Sequence, residues 1–165
     1  MTTSTIWKFL CYRNGSGRNQ IYPQLRALSK QGTMNLRRTL EHLRVKAPSA
    51  WDRPQASPIG NHIYVIHFKD ENRSQHRLFG HHESLYGEFV ITLCGLEKDG
   101  NYAPPNYLTT CLRRQCECLA HPGTHKCACL EHCDALFPSW QPQFKPEPRL
   151  DARPRKSSGL HGRKR

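Results

Sequence analysis

Three short runs of β-branched and aromatic residues, His62–Phe68, Arg77–His81 and Glu88–Cys94, constrain this chain more than any other feature. Such runs are strand signals. The connections between them, Asp70–Gln75 and His82–Gly87, are short and polar, which suits an antiparallel meander. An earlier run, Ile6–Tyr12, predicts a first strand, broken by Asn14-Gly15-Ser16-Gly17. Ile21, Leu25 and Leu28 then recur at helical spacing, with Gly32 as the expected end of that helix. Leu36, Leu40 and Leu43 repeat the pattern from an expected N-cap at Thr33. Pro48, Pro54 and Pro58 mark a loop. Pro104-Pro105 opens a last helix over Asn106–Leu119, since proline is favourable in a first helical turn. The expected order is β-α-α-β-β-β-α, an α+β fold with a small antiparallel sheet packed against a helical hairpin.

Composition then limits the partners. The chain has 165 residues and a net charge of +12. Residues 1–110 carry 14 Lys/Arg against 8 Asp/Glu, and residues 141–165 carry 8 against 2. The body is therefore basic without its tail, and a polyanion such as RNA or DNA is the expected partner. Mean hydropathy is −0.75, low enough that part of the chain is expected not to pack. Residues 138–165, rich in Pro, Ser, Gly and basic side chains, are the expected disordered basic tail. No apolar run approaches the roughly 20 residues that span a bilayer. The patch of Ile6, Trp7, Phe9 and Leu10 is too short for a signal peptide. Cytoplasmic localisation is expected, with the cysteines as thiols or metal ligands.

Residues 116–137 form a Cys/His-rich segment. Cys116, Cys118, Cys127, Cys129 and Cys133, with His121, His125 and His132, offer soft donors that tetrahedral zinc accepts. The one-residue spacing in Cys116-x-Cys118 and Cys127-x-Cys129 strains chelation of a single ion. The expectation is therefore no metal and no cofactor, with zinc as the competing reading.

The stretch Ile59-Gly60-Asn61-His62-Ile63-Tyr64-Val65-Ile66-His67-Phe68, then Gln75-His76-Arg77-Leu78-Phe79, then Ile91-Thr92-Leu93-Cys94-Gly95-Leu96-Glu97-Lys98, then Pro104, resembles the RelE/ParE toxin superfamily in its HigB-like, phage-derived branch. The resemblance implies a toxin domain over residues 1–115. Arg77, Gly95, Lys98 and Pro104 keep the family pattern. His67 stands where Arg is frequent, Cys94 replaces a His, Leu96 a Phe, and Glu97 falls where Lys is common.

What the resemblance implies is the toxin of a type II toxin–antitoxin system, a ribosome-dependent mRNA endonuclease. In that reaction a ribose 2′-OH attacks the adjacent phosphate, which takes a base, cations and an acid, and requires no metal. Arg77, His67, His76 and Lys98 are the catalytic candidates, with His67 and His76 expected to meet across a hairpin turn. Lys69 and Arg73 are candidates to follow the RNA backbone. Tyr102 and Tyr107 could stack on a base. The implied partners are mRNA on the ribosome and a helix-turn-helix antitoxin. A ParE-like DNA gyrase inhibitor, and an inactive prophage remnant of the same fold, compete with the nuclease.

Overall fold

The computed structural model describes residues 6–131. The expected basic tail, His132 and Cys133 lie outside the described residues. The fold is α+β, as the patterning predicts, but its sheet has seven strands and not four. These are β1 (Lys8–Tyr12), β2 (Ala56–Gly60), β3 (Ile63–Lys69), β4 (Gln75–Glu83), β5 (Glu88–Lys98), β6 (Asn101–Ala103) and β7 (Lys126–Cys127). Their order is β2-β3-β4-β5-β1-β7, with β6 beside the second half of β5. The meander β3-β4-β5 is antiparallel as expected, whereas β1 runs parallel to β5.

The added strands have local causes. Pro58 lies within β2, where sequence reading expects loop. β2 is an edge strand, so the missing proline N–H breaks no ladder. The charged stretch 97–101 turns back on itself as the β5–β6 hairpin. Asp99 and Gly100 both take positive φ, +51° and +77°, the geometry of a tight two-residue hairpin turn.

The helices are α1 (Tyr22–Arg26), α2 (Lys30–Arg44) and α3 (Tyr107–Ala120). Gly32 does not end a helix, and Thr33 is not the cap. Ser29 caps α2 by accepting the Gly32 N–H at 3.0 Å. The Ser29 hydroxyl in turn donates to Asp70 in the β3–β4 turn. A Cβ on Gly32 would come within 2.3 Å of that carboxylate. The glycine is there for this close approach, and a tertiary contact sets the helix start.

Alternation along β3 and β4 divides the core into two faces. Ile66, Phe68 and Leu78 join Leu36, Leu40 and Leu43 of α2. Ile63, Val65, Phe79 and Leu93 pack on the other face with Cys111 of α3. The sheet is thus covered on both sides.

The expected boundary between residues 115 and 116 falls inside α3. The Cys/His-rich segment is not a separate unit as far as residue 131. β7 pairs with β1, Leu130 is fully buried in the α2-side core, and Glu131 accepts from the Phe9 N–H and the Arg44 guanidinium, each at 2.7 Å.

A bulge where Phe79 faces Leu93 and Gly80 faces Ile91 brings two backbones close together. A Cβ on Gly80 would lie 2.3 Å from the Val90 carbonyl oxygen and 2.7 Å from the Phe89 ring. Gly80→Ala is expected to cost about 1–3 kcal/mol or more of stability, read as a lower urea midpoint. An unchanged midpoint would show that the bulge relaxes freely.

Candidate nucleic-acid interface

The β3–β4 turn and the β5–β6 hairpin lie at the same end of the sheet, and seven of the eight sequence-derived site residues, all but Tyr107, gather there. The strand register lines up His67 of β3, Arg77 of β4 and Gly95 of β5. Without a side chain, Gly95 lets the Ala103 carbonyl come within 2.4 Å of where a Cβ would stand. This draws β6 against β5. Tyr102 of β6 then pairs with Glu97.

Arg77 is 5% exposed. Its Nε donates to Glu97 at 2.7 Å, Nη1 to the His76 carbonyl at 2.8 Å, and Nη2 to Gln75 at 2.6 Å. The guanidinium is therefore held rigidly and its charge is countered by one carboxylate.

His67 Nε2 and the Ser57 hydroxyl lie 2.9 Å apart. Burial, then the nearby Arg77 and Arg53 cations, hold the His67 imidazole down at about 4, against a weaker opposing pull from Glu97. It is neutral at cellular pH, with a ring nitrogen able to accept a proton. Burial, then Glu97, raise the Tyr102 phenol above its ordinary range, so it stays protonated as a donor. Its ring packs edge-on against Phe79 at 5.3 Å and Tyr107 at 5.1 Å. Tyr107 itself sits in the core against Phe79.

His76 does not join this group. Register places it opposite Phe68, one pair along from His67 and Arg77, so its ring emerges on the α2 side of the sheet. The expected meeting of His67 and His76 is ruled out by strand alternation. His76 stacks on Phe68 at 5.3 Å, with Nε2 3.8 Å from Asp70. Burial lowers its pKa against the pull of Asp70. It lines an apolar depression of about 480 Å³ between α1 and the sheet, with Leu25, Leu28, Leu78 and Leu96.

Lys69, Arg73 and Lys98 form the exposed rim. Arg73 and Lys98 share a depression of about 360 Å³ with Gln75, Glu97 and Asp99. The rim therefore carries both signs of charge.

Two further histidines of the meander, His81 and His82, are structural. His82 sits among Trp7, Trp51, Tyr64 and Phe89, with centroids 4.3–4.9 Å away. His81 is buried, its Nε2 3.1 Å from Glu83. Among the described residues, one set of metal-type donors, His81, Glu83 and Cys118, lies within 4.8 Å of one another. The Lys126 ammonium already sits 2.6 Å from Glu83 and 2.8 Å from Glu88, supplying positive charge there. Burial also pushes the Cys118 thiol up to about 12. No protein-family model, curated protein or solved structure matches the chain. Among the described residues, no helix is long and apolar enough to cross a membrane.

Sequence reading missed Ser57, Arg53 and Gln75, and met Glu97 only as a departure from a family pattern. Ser57 is invisible without β2. The Gln75–Arg77–Glu97 contact has a partial signal, since an acid opposite a strand arginine is a favourable cross-strand pair.

Proposed function

We propose that this protein is an RNA-binding toxin of the RelE/HigB kind, the toxin of a type II toxin–antitoxin pair, acting in the cytoplasm as an mRNA endonuclease on the ribosome. The observation that carries the reading is the His67–Arg77 cross-strand pair, with Ser57 and Tyr102 beside it. A neutral imidazole next to a fixed guanidinium is the arrangement an attack by a ribose 2′-OH needs. The His67 imidazole accepts the 2′ proton while the new P–O bond forms. Arg77 stabilises charge on the phosphate oxygens, and the 5′ oxygen leaves with a proton, for which Lys98 and the Tyr102 phenol are the candidate donors. Lys69 and Arg73 extend the path of the strand. A small helix-turn-helix antitoxin would cover the same end of the sheet.

His67→Gln is the discriminating variant, because Arg77→Ala also strands Glu97 and destabilises the sheet. Induced His67→Gln is expected to lower transcript cleavage by roughly 10²–10⁴-fold with an unchanged thermal midpoint. Full cleavage by a folded His67→Gln protein would reject the assignment. The ion pair that countercharges Arg77 favours a second reading, a ParE-like gyrase inhibitor without a nuclease site. Intact transcripts with inhibited supercoiling would select it.

A further inference from the structure

Cys11 lies in β1, and its register partner in β7 is Cys127. Cys129, two residues on, sits against both. Its sulfur accepts from the Asn19 side-chain amide at 3.0 Å and packs against the core cluster that holds Cys11. A fixed amide donor and two neighbouring cysteines thus surround one half-buried sulfur. Cys11, fully buried, is the proton-holding member of its pair. We propose that Cys129 is a peroxide-reactive cysteine, resolved by Cys11 into a disulfide that clasps residues 126–131 to the first strand. The proposal is independent of the toxin reading.

These surroundings account for the state of the sulfur. Hydrogen bonds from Cys11, then from Cys127, Asn19 and Leu130, outweigh burial and hold the Cys129 thiol down at about 6. Hydrogen bonding to the charged form favours it, while burial of Cys11 keeps that thiol protonated. In the reaction, the thiolate attacks one peroxide oxygen, an S–O bond forms, the O–O bond breaks, and the departing hydroxide takes a proton to become water. The Cys11 thiol then gives up its proton and attacks the Cys129 sulfur. An S–S bond forms, the S–O bond breaks, and a second water leaves. Two thiols are oxidised and one peroxide is reduced. Cys127 is the poorer resolving thiol, because a disulfide across one intervening residue closes a strained ring. The three sulfurs also make a poor preformed metal site, since they are not among the donor sets that lie within 4.8 Å of one another.

The test uses the full chain carrying Cys133→Ser, which removes a thiol outside the described residues. At pH 6, Cys129 is expected to be alkylated by iodoacetamide on the order of tenfold faster than the exposed Cys116. Its rate should rise with a midpoint near 6. One equivalent of hydrogen peroxide should remove the mass of two hydrogens and yield a linked peptide pair containing Cys11 and Cys129, reversed by thiol reductant. Cys11→Ala should stop the reaction at a sulfenic acid that dimedone traps on Cys129, a readout that survives if the linked species is too strained to isolate. Faster labelling of Cys116, a Cys127–Cys129 linkage, or stoichiometric zinc protecting these thiols until a chelator is added would each overturn the proposal.

Discussion

Trp51→Ala is expected to destabilise the protein by about 3–5 kcal/mol, enough to unfold much of a marginally stable domain at 37 °C. The indole is 2% exposed and contacts Trp7, Phe9, Tyr64, His82 and Phe89. Its Nε1 and that of Trp7 both donate to the Lys46 carbonyl, at 3.2 and 2.8 Å. Those bonds fasten the end of α2 to the sheet. Truncation removes the largest fully buried side chain, leaves a cavity and deprives the Lys46 carbonyl of one of its two donors. Trp51→Phe keeps most of the apolar contact and should cost about 1–2 kcal/mol. Urea unfolding of both variants checks this. Equal losses would mean that the hydrogen bond matters more than the volume.

Acid is expected to destabilise the protein before its carboxylates titrate. Burial holds His82 down at about 4, with a smaller contribution from His81, against an ordinary value of 6.5. The sign follows from linkage. Above pH 6.5 the imidazole is neutral in both folded and unfolded chains, and its contribution is fully present. As pH falls from 6.5 towards 4, the unfolded chain takes up protons that the folded one refuses, so stability falls. For His82 the loss is on the order of 2–3 kcal/mol by pH 4, and half-buried His67 adds a smaller loss in the same window. Asp70 acts lower. Burial would raise its pKa, but hydrogen bonds from the Ser29 hydroxyl and from the Glu71 and Ser29 backbone lower it overall, so its contribution is lost below the carboxylate range. His82→Leu removes the titration while keeping an apolar side chain in the aromatic cage. Urea midpoints from pH 7.5 to 4.5 should then fall less steeply than in the parent. Parallel slopes would show that His82 is not the source.

Local residue patterns determined the three meander strands, the apolar stripe of α2 and, through Pro104-Pro105, the helix that follows. These are local patterns, and local geometry is enough to produce them. Strand order in the chain also determined that Lys69, Arg73, Arg77 and Lys98 collect at one end of the sheet. Pairing between distant segments was decided only by the tertiary structure. β1 returns to lie parallel to β5, β7 adds to β1, and the residue order shows neither, because the free energy of such contacts depends on what the rest of the core leaves exposed. A one-residue difference in register sent His67 to Arg77 and His76 to the opposite face, so histidines close in sequence came to stand in unrelated surroundings. The same long-range pairing set Cys11 beside Cys127 and Cys129, turning a sequence segment with poor ligand spacing into a group of three thiols.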